Sequence, residues 1–448
     1  MDAQERKFIA MTKPPVGGII CKLAIPCIIS MLVTAFYNMA DTFFVGMLKS
    51  TAATGAVGVV FSMMAIIQAV GFFFGQGSGN YISRMMGKKE YGEASIMAAN
   101  GFFTAIFAGI LICVLGQIFL EPISYMLGST DTILPYTKAY LRVILFGAPW
   151  MTASLVLNNQ LRFQGSASYA MVGITCGAVL NIALDPLFIF TFNLGVAGAG
   201  WATIISQFVS FVILYIGCSK GSNIHISWRN LKISSYYLIQ IFRGGLPSLA
   251  RQSIASIATI CLNNVARPYG DVVIAAMGVV QRIMQFGASA MIGFGQGFQP
   301  FCGFNYGAKL IERVKKGFWF CVKGSFGFLC LVAVLGFVFA PRLVALFRDD
   351  PEVIAFGALA LRIQCCSFPL QSFIVMSNMM QQVTGRTGPA TFMAMARQGI
   401  FFIPAILLLP LAFDVLGIQM AQAISDTCTF LCAIPLQLHI LRSISRES

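Results

Sequence analysis

Charge is what this chain has least of. Charged residues make up 10% of its 448 positions, and Asp and Glu together number 16. A soluble globular protein carries roughly 25% charged residues. The deficit runs the whole length of the chain, so a bilayer rather than water is its expected solvent. Histidine is nearly missing, with His225 and His439 the only two, which leaves no basis for a histidine-built catalytic or metal centre. No G-x-x-x-x-G-K-[ST] loop is present, and this excludes a P-loop ATP-driven pump. The thirteen cysteines form no CxxC pair and no Cys/His cluster. They read as small buried hydrophobes, with no metal and no disulfide role. With no nucleophile motif either, the chain is expected not to be an enzyme and to need no cofactor. A cleavable leader is not expected, because the first apolar run is too long and continues through Asp41.

Hydrophobic residues are plentiful, at 57%, with 40 Phe and 22 Met. Twelve runs are long enough to span a bilayer at about 20 residues each. They cover 18–46, 52–80, 94–120, 133–157, 167–192, 195–217, 238–265, 272–300, 317–340, 353–382, 389–413 and 416–441. The runs are continuous rather than alternating, which excludes a membrane β-barrel. The net charge of +14 would suit nucleic acid, but its distribution does not. With both termini inside, eighteen Lys and Arg fall on the cytoplasmic side, among them Lys88, Lys89, Arg229, Lys315 and Lys316. Only Lys49, Lys138, Arg267, Arg342 and Arg348 fall outside. This is the positive-inside bias. It predicts a multi-pass protein of the cytoplasmic (inner) membrane with both termini cytoplasmic, surrounded by membrane lipid and without a nucleic-acid partner.

The chain also repeats itself. Gly75-Gln76-Gly77 recurs as Gly295-Gln296-Gly297, and Gly58-Val59-Val60 as Gly278-Val279-Val280, both at a shift of 220. At the same shift Arg142 falls on Arg362, Pro149 on Pro369, Asn158 on Asn378 and Gly165 on Gly385. Ala202, Ile205 and Ser206 match Ala421, Ile424 and Ser425 at 219. Six helices per half is an even number, so the halves share one membrane orientation. The expected fold is therefore an all-α integral membrane protein, with twelve transmembrane helices in two six-helix lobes related by a parallel internal repeat. Residues 1–218 form the N-terminal lobe, 219–237 a basic cytoplasmic linker with Trp228 as an interfacial anchor, and 238–448 the C-terminal lobe. Such a plan suits rocking of two lobes in a secondary transporter.

Ionisable residues inside spans are expensive and become functional candidates. Asp41 shares an i, i+3, i+4, i+7 face with Thr34, Tyr37 and Asn38. Asp185 shares a face with Asn181, and Thr203 with Gln207. Two carboxylates with amide and hydroxyl oxygens suit a proton or a sodium ion. The simpler alternative is that both carboxylates sit near helix ends and reach water. Cys261 and Ala405 stand at the corresponding positions of the second half, so the acidic site belongs to the first. The second half contributes Arg251, Arg282, Arg397 and Asp426, with Gln252, Ser256, Thr259 and Asn263 along one face. A structural ion pair of Asp426 with Arg251 or Arg397 is as good a reading as a transport role. Met31, Met39, Met63, Met64, Met284, Met291 and Met376, together with Gln252 and Ser256, are candidates for an adaptable substrate cleft. Taken one at a time, each methionine fits core packing better. Pro26 frees a carbonyl in the first helix and can bend it.

At these residues the chain resembles the MATE family, the multidrug and toxic compound extrusion transporters. The likeness rests on Pro26 through Asp41-Thr42-Phe43-Phe44-Val45-Gly46, the Gly-rich second helix ending in Gly87-Lys88-Lys89, Asn181-x3-Asp185-Pro186, and Gly200-Trp201-Ala202-Thr203. It covers nearly the whole chain and is nearest to bacterial multidrug exporters with an acidic first lobe. The resemblance implies an antiporter that exports amphipathic, cationic small molecules against an inward flow of H+ or Na+. It places the cation site on Asp41, Asn181, Asp185 and Thr203, with Tyr37 and Asn38 nearby, in a chain expected to act as a monomer. One departure is that the seventh and tenth helices lack the acidic residues some members use for a second-half site. A flippase for a lipid-linked saccharide, a relative in fold, is the rival reading, and the three arginines leave room for it.

Overall fold

The structure, a computed structural model, describes residues 3–47 and 50–446. Lys49, assigned above to the outer side, lies outside the described residues. Among the described residues every regular element is helical. A short α1 (Ala3–Thr12) precedes α2 (Val16–Gly46), α3 (Thr51–Gly87), α4 (Tyr91–Ile118), a short α5 (Leu120–Met126), α6 (Leu134–Phe163), α7 (Ala167–Pro186) and α8 (Val196–Cys218). The second half runs through α9 (Ser235–Ala266), α10 (Asp271–Gly307), α11 (Ile311–Val338), a short α12 (Ala340–Phe347), α13 (Pro351–Ser367) continued by α14 (Gln371–Val383), then α15 (Thr387–Met395) and α16 (Phe402–Ser445).

Among the described residues, ten helical stretches are long and apolar enough to cross a bilayer. Two further spans complete the twelve. Helix α9 has the length, 32 residues, but its apolar content is diluted by Arg243, Arg251, Gln252, Asn263 and Asn264. The stretch Thr387–Ser445 counts once among the ten, yet Asp414 turns the backbone to φ 49° and divides it. That break falls between the predicted runs 389–413 and 416–441. Helices α1, α5 and α12 lie beyond what the apolar runs predict. Helix α4 ends where Phe119 leaves helical geometry (ψ 32°), and α11 ends at its repeat mate Phe339 (ψ 15°). The hydropathy continues across both breaks and hides them. Pro26 does not interrupt α2, whereas Pro369 sits in the 3-10 turn Phe368–Leu370 between α13 and α14.

The 220-residue register is written into side-chain contacts as well. Asn158 donates to the Ala170 carbonyl at 3.2 Å, and Asn378 to that of Ala390 at 2.6 Å. Gln117 donates to the Arg142 carbonyl, while Arg362 donates to that of Phe337, the same two positions 220 residues on with the donor exchanged. Lys89 and Lys309 both adopt positive φ, 63° and 59°.

Two compact units emerge, and their boundary is not the covalent one. The first comprises the residues up to Lys13 with Ile29–Gly245, and the second Pro14–Ile28 with Leu246–Ser448. Residues 14–28, read above with the first half, thus pack in the second unit, and the start of α9 packs in the first. Close backbone approach makes this possible. In the first unit Gly77 of α3 lies against the Ile241 backbone of α9, and a Cβ on Gly244 would come within 2.9 Å of the Gly77 carbonyl. In the second, a Cβ on Gly297 of α10 would come within 2.5 Å of Ala24 Cα in α2. Gly77 and Gly297 are repeat mates, so the repeated Gly-Gln-Gly supplies a helix-crossing point in each unit.

Candidate functional site

Four helices of the first unit bring the candidate residues together. Asp41 lies in the last two turns of α2. Asp185 is the next-to-last residue of α7, ahead of Pro186 and a single π turn, Leu187–Thr191. Such π turns concentrate at functional positions. Thr203 and Gln207 stand one turn apart on α8. Asp41 is 3% exposed and Asp185 0%, so neither carboxylate reaches water through a helix end. Both Oδ1 atoms lack any hydrogen-bond partner. Among the described residues no Lys or Arg pairs with either, and the two lie within electrostatic reach of each other.

Neutral oxygen and nitrogen groups surround the pair. The Asn181 amide, turned to satisfy both neighbours, donates to Asp185 Oδ2 at 3.1 Å and accepts from the Thr203 backbone N–H at 3.3 Å. The Thr203 hydroxyl donates to the Ala199 carbonyl at 2.9 Å. Tyr37, half-buried, stands beside Thr203 and Gln207 and in reach of both carboxylates. An unpaired buried carboxylate costs on the order of several kcal/mol, and two neighbouring ones cost more. A proton or a hard, oxygen-seeking cation is the kind of charge that such a pair can accommodate.

Sequence reasoning missed Tyr140. This α6 residue is fully buried, its hydroxyl makes no hydrogen bond, and it lies near Asp41, Asp185, Tyr37 and Thr203. Gly200 makes room for the ring: a Cβ there would sit 2.8 Å from Tyr140 Cδ2. The available signal was Gly200 itself, three residues before Thr203 on α8. The other candidates disperse. Thr34 turns its hydroxyl back to the Ser30 carbonyl at 2.8 Å. Asn38 and Met39 are exposed and Met31 is half-buried. Met63 and Met64 belong to the first unit's apolar core. In the second unit Met291 and Met376 are buried, Met284 and Gln252 half-buried, and Ser256 exposed.

The second unit holds a different polar cluster. Asp426, 1% exposed, accepts from Arg397 Nε at 2.8 Å, Gln422 Nε2 at 2.9 Å and Gln371 Nε2 at 2.9 Å. The partner of Asp426 is therefore Arg397, not Arg251. At the shift of 219 that relates α8 to α16, Gln422 corresponds to Thr203 and Asp426 to Gln207. The first unit leaves Asp41 and Asp185 without a basic partner, and the second neutralises Asp426 internally.

A family model, MatE, matches residues 26–187 and again 247–408. The chain belongs to the MatE family. The two matches repeat the internal duplication, and this is a family of membrane transporters. The multidrug export protein MepA of Staphylococcus aureus is 27% identical over 442 residues, which cover 98% of this chain and 97% of that protein. The MepA of Staphylococcus saprophyticus is 27% identical over 421 residues, covering 94% and 92%. Among solved structures, an outward-facing multidrug resistance MATE transporter of the MOP superfamily aligns with TM-score 0.91 at 25% identity, covering 98% of both chains. A MATE crystal structure in complex with MaL6 aligns with TM-score 0.93 at 24% identity, covering 98% and 99%. The MatE fold therefore extends over nearly the whole chain.

Proposed function

We propose that this MatE protein is a secondary antiporter that exports amphipathic, cationic small molecules, coupled to inward flow of H+ or Na+ through the first unit. It acts as a monomer in the cytoplasmic membrane with both termini inside. The name of the MepA relatives supports export of drugs. The observation that carries the coupling site is the pair of buried carboxylates, Asp41 and Asp185, each with an unpartnered oxygen. A cation arriving from outside neutralises this pair and changes how α2 packs around it. Substrate affinity falls as the cation binds, so the two ligands favour opposite states, which is the requirement for coupling. Asn181 and Thr203 supply further oxygens, and Tyr37, Gln207 and Tyr140 complete the polar lining. The flippase reading drew on Arg251, Arg282 and Arg397 as room for a basic cavity, and of these Arg397 is held by Asp426.

The test is dye efflux in everted vesicles with sodium and proton gradients imposed separately. Wild-type protein is expected to pump under one gradient. Asp41→Asn is expected to insert normally and to lose gradient-driven export. Wild-type rates from Asp41→Asn vesicles would remove the carboxylate from the mechanism.

A further inference from the structure

Arg251, Arg282 and Arg397, the three candidate arginines of the second unit, lie within spans and differ in kind. Arg397 is neutralised by Asp426. Arg282 on α10 is exposed, so its long side chain can turn toward polar surroundings. Arg251 has neither outlet. It falls on the packed line of α9, between Pro247 and Ile254, with Ala258 and Leu262 following at helical spacing. Pro247, Ala258 and Leu262 are buried, and Ile254 seats against Gly399, where a Cβ would come within 2.5 Å of its Cγ1. At 1.5 Å per residue, Arg251 lies about 22 Å from the Ala266 end of α9 and about 24 Å from the Ser235 end. Neither end is within reach of an arginine side chain.

Yet Arg251 makes no hydrogen bond or ion pair with any described residue, and no charged neighbour acts on it. A guanidinium cannot shed its charge to relieve burial. Part of its surface is still accessible, so a ligand can meet it. Its planar fork matches a carboxylate or phosphate with two parallel hydrogen bonds.

We propose that Arg251 binds the anionic group of an amphiphile, so that the second unit takes those amphipathic amines that also bear a carboxylate. This rests on the export reading above and names a substrate class for it. A lipid phosphate presents the same chemistry as a dissolved carboxylate, and the experiment separates the two. Wild-type, Arg251→Met and Arg251→Lys proteins are reconstituted in phosphatidylcholine, with and without phosphatidylglycerol. Two probes are compared: a fluorescent aromatic amphiphile with an amine and a carboxylate, and its methyl ester.

The readout is the ratio of acid to ester in transport, and separately in equilibrium binding to the purified protein. Arg251→Met is expected to lower that ratio about tenfold or more, the scale of a lost charged hydrogen-bond pair. Arg251→Lys is expected to recover part of it, since charge returns without the fork. Competition by phosphatidylglycerol in wild type only would show that lipid phosphate shares the group; no competition leaves the dissolved amphiphile as the ligand. An unchanged ratio in Arg251→Met, or an equal fall for both probes, overturns the proposal. If wild type transports neither probe nor a permanent cation, the export reading fails, and the binding ratio still decides the role of Arg251.

Discussion

At the scale of single residues, the two acidic clusters of this chain obey one rule with opposite outcomes. A carboxylate removed from water needs a positive partner or several donors. Asp426 has both, from Arg397, Gln422 and Gln371, and the neighbouring Ser425 hydroxyl donates to the Arg397 carbonyl at 2.5 Å. Breaking such a pair from one side strands the other charge, while replacing both members by apolar groups is far milder. Arg397→Met is therefore expected to destabilise the protein by about 3 kcal/mol, read as a lowered Tm in detergent. Arg397→Met combined with Asp426→Leu is expected to recover most of the loss. A single variant as stable as wild type would show that the pair carries no such weight. The sequence offered both arginines as partners for Asp426. The packing of α16 against the π turn Ala396–Ile400, which carries Arg397, selects between them.

At the scale of elements, helix crossings depend on residues without side chains. A Cβ on Gly297 meets backbone atoms of Ala24 at 2.5 Å, which cannot yield, whereas one on Gly278 of the same helix meets nothing within 4 Å. Gly297→Ala is expected to cost about 2 kcal/mol, and Gly278→Ala to be neutral or to stabilise by up to about 1 kcal/mol. Thermal melts of the two variants check the contrast. Helix α1 is fastened by chemistry rather than close packing. Lys7 Nζ donates to Ser166 Oγ at 3.0 Å and to Asn223 Oδ1 at 2.6 Å, tying α1 to the α6–α7 turn and the inter-lobe linker. Desolvation lowers the Lys7 amine from 10.5 to about 7, with the Cys218 thiol acting weakly the other way. Between those two values the undocked amine holds a proton that the docked one lacks. Docking of α1 is thus expected to strengthen as pH rises from about 7 toward 10.5 and to be weakest below 7. Hydrogen exchange over α1 at pH 6 and pH 8.5 reads this, and Lys7→Met should flatten the dependence.

At the scale of the whole molecule, the halves share a backbone and differ in charge. The first unit holds Asp41 and Asp185 without cations, and the second holds Arg251 without an anion. A bilayer penalises each by about 2.5–3.5 kcal/mol on insertion scales, and packing alone repays none of it. The scaffold is duplicated down to paired asparagines at 158 and 378, while the uncompensated charges are not. The Asp41→Asn and Arg251→Met experiments therefore probe different proposed roles, each at residues of its own unit.

Hydropathy, charge bias and register add up along the chain. For that reason the sequence alone determined the membrane setting, the twelve spans, the 220-residue repeat and the confinement of Asp41 and Asp185 to the first half. The short helices at the α4 and α11 ends stayed hidden, because apolar composition continues unbroken through Phe119 and Phe339. Helical spacing also placed Tyr37 with Asp41 and Thr203 with Gln207, since residues on one helix face are neighbours by geometry. What lay beyond reach was every relation between helices. Tyr140 joins the acidic site only because Gly200 lets α6 and α8 close together. Residues 14–28 join the second unit only because Gly293 and Gly297 admit α2. Arg397 rather than Arg251 finds Asp426 because α16 packs against the turn that carries Arg397. These choices depend on where distant backbones cross and which way side chains then point, and only the tertiary structure decides that.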